Sequence, residues 1–141
     1  MEESKRSKVM RAVKKRDTGP EIQVRKAAHR LGYRFRLHRK DLPGTPDLVL
    51  PRHGIALFVH GCFWHQHPDP ACPLANRPQS NLDYWEPKLR RNQERDARAQ
   101  AELEQQGWSV VVIWECQVER ENLPELLARS LGEASIARAR G

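Results

Sequence analysis

The sequence lacks any long apolar run. None of its apolar stretches approaches the roughly 20 residues that a membrane-spanning helix needs. The first six residues include four charged ones and no apolar segment follows them, so we expect no secretory signal. Both absences speak against a membrane or secreted protein, and we expect a cytoplasmic protein without membrane contact.

Cysteine is also scarce, because the chain has only three. In a cytoplasmic protein this number argues against a disulfide framework. With 141 residues, 38% hydrophobic and 30% charged, the chain suits one modest core under a charged surface. We expect a single domain over residues 1–133 with a basic N-terminal arm (1–17), followed by a short frayed tail at 134–141.

Positive charge exceeds negative charge, with 25 Lys and Arg against 18 Asp and Glu and a formal net charge of +7. Such an excess favours a polyanionic partner, most often nucleic acid. The first 16 residues are especially basic. They suit either a solvated helix or an arm that lies along DNA phosphates, and for the second reading Arg6, Lys8 and Arg11 are candidate contacts.

Hydrophobic periodicity predicts an α/β protein with four helices and four strands. The order is a basic N-terminal helix, a helix from Asp17–Glu21 to Gly32, strands at 33–38, 47–50 and 55–59, a helix from between 83 and 87 to 106, a strand at 108–114, and a helix from 121 or 122. Ile22, Ala27, Ala28 and Leu31 are the expected buried stripe of the first core helix. This order favours a mixed central sheet flanked by helices on both faces.

The three cysteines point to a metal site. Cys62, His67 and Cys72 lie in one long irregular loop, and Cys116 follows the last strand. Thiolates with an imidazole form a tetrahedral zinc set, and zinc would keep such a loop ordered. The alternative is a core Cys116 with two free thiols in the loop.

Acids and histidines near the central strands are candidates for catalysis. Asp47 enters a buried strand and suits Mg²⁺ binding, although a turn residue satisfied by backbone donors is the simpler reading. Glu21 is either a metal-side acid or a first-turn acid favoured by the helix dipole. His60 and His65 offer an imidazole that can take a proton from water. Phe63 and Trp64 either wedge between bases or fold inward, and composition favours the second.

The segment His60-Gly61-Cys62-Phe63-Trp64-His65, followed by His67, resembles the signature of the very-short-patch repair (Vsr) endonucleases. Further resemblances cover residues 4–117: Arg6-Ser7 with Met10, Arg16-Asp17-Thr18 with Glu21, Leu42 to Asp47, Tyr84-Trp85 with Lys88, Asn92 and Arg95-Asp96, Gly107-Trp108, and Trp114-Glu115-Cys116. Several independent supports make this more specific than one short pattern.

The resemblance implies a PD-(D/E)xK restriction-endonuclease-like core with a structural zinc site. It implies Mg²⁺ on Asp47 and on the main-chain carbonyl of Val59, with His65 as general base. It assigns assisting roles to Glu21 and His60, and structural zinc to Cys62, His67, Cys72 and Cys116. It assigns DNA contacts to Lys88 and Asn92 as well as to the basic arm, and intercalation beside a T·G mismatch to Met10, Phe63 and Trp64.

The chain departs from the family pattern at four places. Val59 stands where a threonine is familiar, the loop before Cys72 is longer than usual, Pro87 lies early in the long helix where it would shift the start, and the Glu-x-Lys half of the nuclease motif is absent. The resemblance accounts for the missing lysine because His65 takes over its chemistry.

We therefore expect a Mg²⁺-dependent endonuclease that nicks one strand 5′ of the mismatched T in a T·G pair, in repair of deaminated 5-methylcytosine. Its expected partner is double-stranded DNA with that mismatch, together with mismatch-repair proteins, and it is expected to be a monomer in the bacterial cytosol or nucleoid. The alternatives are a zinc-stabilised DNA-binding module without catalysis and a related nuclease of restriction or defence systems that cuts matched DNA.

Overall fold

A computed structural model of the chain describes residues 18–69, 71–75 and 78–140, with side chains up to residue 134. The predicted arm at 1–17, with the candidate DNA contacts Arg6, Lys8, Met10 and Arg11, lies outside the described residues. Among the helices of the described ranges, none is both long enough and apolar enough to cross a membrane.

Four strands form one mixed sheet. They are β1 (Arg36–Leu37), β2 (Leu48–Leu50), β3 (Ile55–His60) and β4 (Ser109–Trp114), in that spatial order. The first two pairings are antiparallel, and β3 pairs with β4 in parallel, with His60 opposite Trp114. The ends of β3 and β4 therefore lie side by side, and the residues after each strand emerge at one edge of the sheet. The predicted mixed sheet is confirmed.

Four described helices flank this sheet: α1 (Gly19–Arg30), α2 (Leu82–Gln105), α3 (Glu115–Arg120) and α4 (Leu123–Arg140). A short 3-10 turn lies at Pro73–Ala75 in the long loop. At the start of α1, Thr18 Oγ1 accepts a hydrogen bond from the N–H of Glu21 (3.4 Å), as an N-cap residue does. Capping places Glu21 in the first turn, where it is buried.

Alternation along β3 divides the core between the two faces of the sheet. Leu57 and Val59 belong to a large cluster with residues of α1 and α4, whereas Ala56 and Phe58 belong to a smaller cluster that includes Leu103 of α2. The expected placement of helices on both faces is confirmed. His60, two residues after Phe58, lies on the α2 face and contacts the Phe58 ring.

Some elements differ from the sequence prediction. The first strand is only two residues long, and α3 was not predicted. Of the expected stripe on α1, Ala27 and Ala28 are buried, but Ile22 and Leu31 are 38% and 39% exposed, and Val24 takes the central core position. The last helix runs to Arg140, through most of the segment that we expected as a short tail, and the alanines and arginines there are strong helix formers.

Candidate functional site

Asp47 lies directly before β2, and its carboxylate reaches across to β3. Asp47 Oδ2 accepts a hydrogen bond of 2.6 Å from the backbone N–H of Val59. This contact holds the carboxylate beside the end of β3. The side chain is 15% exposed, so one side of it still reaches solvent.

Three further side chains gather around Asp47. His38 Nε2 lies 3.3 Å from Glu21 Oε2 and 4.0 Å from Asp47 Oδ1. Arg25, one turn after Glu21 on α1, brings its Nη2 to 3.4 Å from the same Glu21 oxygen. Each pair among the donor atoms of Glu21, His38 and Asp47 lies within 4.8 Å, so together they are able to hold a metal ion.

Burial raises the pKa of Asp47 from 3.8 to about 7, the N–H of Val59 opposes this rise, and the nearby Glu21 carboxylate adds to it. Because desolvation penalises the charged form, this carboxylate needs a positive partner to be fully ionised near neutral pH. A divalent cation is such a partner.

A histidine pair and an acid lie at the end of β3. The rings of His60 and His65 stack at 3.9 Å between centroids with an interplanar angle of 5°. His65 Nδ1 lies 2.5 Å from Asp96 Oδ2 on α2. A carboxylate on Nδ1 fixes the ring orientation and leaves Nε2 available as a proton acceptor.

His60 is almost fully buried, with 4% of its surface exposed. Burial lowers its pKa to about 4, and the neighbouring His65 adds to this effect. His60 therefore stays neutral at physiological pH. Its Nδ1 is buried and has no hydrogen-bond partner among the described residues, and the ring edge faces Trp114 at 5.1 Å.

The four predicted zinc ligands come together, including Cys72 beyond the unusually long loop. The ligand atoms of Cys62, His67, Cys72 and Cys116 all lie within 4.8 Å of one another. His67 Nδ1 is 3.8 Å from Cys62 Sγ and 3.4 Å from Cys116 Sγ. Because β3 and β4 are adjacent and parallel, the cysteines that follow each strand become neighbours although they are far apart in sequence.

These separations fit a tetrahedral zinc site. With Zn–S of about 2.3 Å and Zn–N of about 2.0–2.1 Å, tetrahedral ligand atoms are about 3.5–3.8 Å apart. Trp114 stacks on the His67 ring at 4.3 Å and 16°, which orients the imidazole. Burial raises the pKa of Cys62 to about 12, so this thiol stays protonated until a metal displaces its proton.

The aromatic residues of the loop pack on the start of α2. Phe63 contacts Trp64 at 5.3 Å and Trp85 at 5.4 Å, in both cases edge to face. We call Phe63, Trp64, Tyr84 and Trp85 the aromatic cluster. Phe63 and Trp64 are half-buried. They neither fold completely inward nor stand alone in solvent, and they form a partly exposed apolar surface next to His65.

Two predicted DNA contacts on α2 have partners within the protein. Asn92 Nδ2 donates to the carbonyl oxygen of Trp64 at 3.2 Å, which ties the loop to the helix. Lys88 donates to the hydroxyl of the exposed Tyr84 at 2.9 Å, and its Nζ lies over the same ring. Asn92 thus positions the aromatic loop, whereas Lys88 adds positive charge beside it.

The structure brings the predicted site residues into three groups around the end of β3, with Asp47 and Glu21 in the first, His60 and His65 in the second, and the zinc ligands in the third. Sequence reasoning did not assign roles to His38, Asp96 or Trp85. The motif at Arg95-Asp96 and the neighbouring Tyr84-Trp85 were signals for two of them. His38 carried no signal except its place at the end of a short strand.

Comparisons with known proteins find several similar DNA-cleaving enzymes. The family model described as DNA mismatch endonuclease Vsr matches residues 1–70. The type II nicking enzyme V.XorIIP of Xanthomonas oryzae pv. oryzae is 51% identical over 114 residues, which cover 81% of this chain and 82% of the relative. The type II nicking enzyme V.NmeAIP of Neisseria meningitidis serogroup A is 41% identical over 118 residues (84% and 82%). The DNA mismatch endonuclease Vsr of Escherichia coli is 39% identical over 121 residues (85% and 76%).

Proposed function

The chain belongs to the Vsr family of DNA mismatch endonucleases, and on that premise we propose that it nicks one strand of duplex DNA 5′ of the mismatched T in a T·G pair. The product is a break with a 5′-phosphate, as repair of deaminated 5-methylcytosine requires. The observation that carries this proposal is the union, at the end of β3, of the Asp47–Val59 contact with the His65–Asp96 pair. It supplies an anionic metal site at Val59 and a proton acceptor stacked on His60, the next residue along β3.

Asp47 is the proposed Mg²⁺ ligand, with the main-chain carbonyl of Val59 as a second ligand and Glu21 as an assisting acid. Oxygen donors of this kind suit a hard cation, and the raised pKa of Asp47 marks a carboxylate that gains from one. When bound, Mg²⁺ neutralises developing charge on the phosphate. In this proposal, β2 and β3 form the PD-(D/E)xK-like core, with Val59-His60-Gly61 in the place of its second half.

His65 is the proposed general base. With Nδ1 held by Asp96, its Nε2 accepts the proton of the attacking water. The carboxylate stabilises the positive charge that the ring acquires on taking this proton. His60, which is neutral and stacked on the same ring, restricts the orientation of His65 without adding a second charge.

Zinc held by the four-residue set fastens the aromatic loop to the start of α3. The loop then presents Phe63 and Trp64 at a fixed distance from His65. Apolar side chains that insert between base steps cost about a few kcal/mol of lost stacking, and a T·G pair lowers this cost because it is easily deformed. The proposed enzyme acts as a monomer.

The alternatives make different predictions. A DNA-binding module without catalysis has no use for an acid-oriented histidine beside a buried carboxylate, so the geometry argues against it. A nuclease of restriction or defence systems shares this geometry, and only its preference for matched DNA separates it from the proposal. The substrate therefore decides between the two endonucleases.

The test is a nicking assay on end-labelled duplexes that differ at one pair, T·G or T·A, with and without Mg²⁺. We expect one nick on the T strand of the T·G duplex, and no product without a divalent cation. Asp47→Asn should abolish nicking while T·G binding persists, and Asp41→Asn is the matched control, because Asp41 is exposed and pairs only with Arg39 among the contacts described.

Equal cutting of T·G and matched duplexes would favour the restriction or defence nuclease. Binding to T·G without any nick in the wild-type protein would favour the DNA-binding module. Normal nicking by Asp47→Asn would show that the assigned metal ligand is wrong.

A further inference from the structure

His38 occupies a strained position next to the metal-side acids. It follows β1, and its backbone N–H donates to the carbonyl oxygen of Asp47 at 3.4 Å. Its φ of 46° lies in the left-handed region, which costs a side-chain-bearing residue on the order of 1–3 kcal/mol. The side chain is 13% exposed. A strained backbone of this kind directs the imidazole toward Glu21 and Asp47 instead of toward solvent.

Two neighbours of His38 Nε2 make different demands on this nitrogen, although Arg25 Nη2 also lies 3.4 Å from Glu21 Oε2. Glu21 Oε2, at 3.3 Å, is an acceptor and calls for a proton on this nitrogen. Arg25 Nη2, at 3.4 Å, has only donors and calls for a lone pair. One ring nitrogen cannot meet both demands. A metal ion removes the conflict, because the lone pair of Nε2 and the carboxylate then both face it.

We propose that His38 is a further protein ligand of the catalytic divalent cation, in addition to Asp47, Glu21 and the main-chain carbonyl of Val59, and that this nitrogen donor raises the affinity for first-row transition-metal ions relative to Mg²⁺. The inference rests on the proposed function for the role of Asp47. The donor atoms of Asp47 and Glu21 are 4.0 and 3.3 Å from Nε2. Two ligand atoms at about 2.1 Å from an octahedral ion lie about 3.0 Å apart when they are adjacent and about 4.2 Å apart when they are opposite. The distances from Nε2 to the Glu21 and Asp47 oxygens fall between these two values.

Ligand chemistry gives the expected selectivity. Mg²⁺ prefers oxygen donors and keeps several waters, whereas imidazole binds divalent transition metals with an affinity that rises from Mn²⁺ to Ni²⁺. A site with two carboxylates and one imidazole therefore binds Mn²⁺ more tightly than a site with oxygen donors alone. The neighbouring Arg25 keeps its contact with Glu21 and offsets part of the negative charge.

The test uses Mn²⁺ as the probe and the full zinc-loaded chain. Mn²⁺ affinity is measured from the electron paramagnetic resonance signal of free Mn²⁺, and Mg²⁺ affinity by competition. The variant is His38→Gln, which keeps a polar side chain, and the control is His29→Gln, an exposed histidine in the last turn of α1. We expect His38→Gln to weaken Mn²⁺ binding at least tenfold and Mg²⁺ binding less than threefold, with the control unchanged.

Nitrogen-14 coupling to bound Mn²⁺, measured by electron spin echo modulation, reports ligation directly. It should be present in the wild type and in the control and lost in His38→Gln. Coupling that persists in His38→Gln, or Mn²⁺ affinity that does not change, overturns the inference. Asp47→Asn separates the two proposals: if it abolishes Mn²⁺ binding while His38→Gln does not, only the role of His38 is wrong, and if Asp47→Asn also binds and nicks normally, the proposed function fails.

Discussion

The raised pKa of Asp47 predicts that Asp47→Asn stabilises the folded protein in Mg²⁺-free buffer at neutral pH. Asparagine keeps an oxygen that accepts the hydrogen bond from Val59 N–H but carries no charge to bury. The wild-type protein must instead ionise a carboxyl group that burial disfavours. The variant therefore loses the proposed function and gains stability, as expected when a charged residue is kept for activity at the expense of folding stability.

The sign and size of this stability difference follow from the pKa of Asp47. Between the unfolded value of 3.8 and the folded value of about 7, the folded state binds more protons than the unfolded state. The stability that Asp47 contributes is then complete below about pH 4 and is lost as pH rises through 7. A difference of about 3 pK units at 1.36 kcal/mol each sets a ceiling of about 4 kcal/mol. The advantage of Asp47→Asn should thus grow toward this ceiling between pH 4 and 8.

Urea denaturation at several pH values measures this difference in the free energy of unfolding, using zinc-loaded protein in buffers freed of other divalent cations. Asp41→Asn is the control, because Asp41 is exposed and its pKa is lowered by Arg39, so its contribution cannot grow in the same direction. Saturating Mg²⁺ should stabilise the wild type, which binds it, and so reduce the stability advantage of Asp47→Asn by about 2.7 kcal/mol at a concentration 100 times Kd. A stability difference that stays constant from pH 4 to 8 would refute the reasoning.

Three further outcomes are expected. Asp96→Asn should slow single-turnover nicking about 100-fold or more with unchanged DNA binding, because the charge that orients and stabilises the general base is lost. Glu94→Gln, at an exposed neighbour on α2, should nick normally. Equal nicking rates in Asp96→Asn and the wild type would contradict the role of Asp96. Cys72→Ala should reduce bound zinc from about one ion per chain toward zero and lower the melting temperature, whereas full zinc content would remove Cys72 from the ligand set. Gly44→Ala should cost about 2–4 kcal/mol of stability, since Gly44 has φ +73° and an added Cβ would lie 2.7 Å from Ala99 Cβ and 3.2 Å from the Phe58 ring. Ala99→Gly in the same chain should recover only the part due to Ala99, less the cost of about 1 kcal/mol of a glycine inside α2. A loss below about 1 kcal/mol in Gly44→Ala would contradict the clash.

The elements that the sequence predicted well are those with a strong local signal. The first core helix begins at Gly19 because Thr18 caps it and Pro20 suits its first turn. The long helix ends at Gln105 next to Gly107, whose φ of 92° suits glycine. Pro87 lies inside this helix without ending it. Such signals act over a few residues and need no knowledge of the rest of the fold.

Elements that depend on tertiary contacts were missed or misplaced. The first strand was predicted over six residues, but its pairing stops at Leu37 because His38 leaves the extended conformation. Helix α3 has six residues, too few for a periodic pattern, and the side chain of Gln117 caps its start by accepting from Trp114 N–H. Neither event is visible in hydrophobic spacing.

The residues of the candidate site divide in the same way, into those that local sequence signals identify and those that depend on tertiary contacts. The four residues proposed to bind zinc and the proposed base His65 were identified by residue type and motif, and the fold brings the four ligand atoms within 4.8 Å of one another. Asp96 lies 31 residues after its partner, and His38 meets Glu21 across 17 residues. Partners at such separations are determined by how α1 and α2 pack on opposite faces of the sheet, which no local pattern reports.

The register of β3 gives the site an unusual sensitivity to length changes. Along this strand Val59 packs into one core while His60 lies on the opposite face, and Cys62 and His65 follow immediately. Since side chains alternate with a period of two, a single inserted or deleted residue within Ile55–His60 would exchange the two faces and displace the metal, proton-transfer and zinc groups together. In the turn at 51–54 the same change would spare all three. Natural variation in chain length should therefore accumulate in that turn and in the long loop after His67, and be absent from β3.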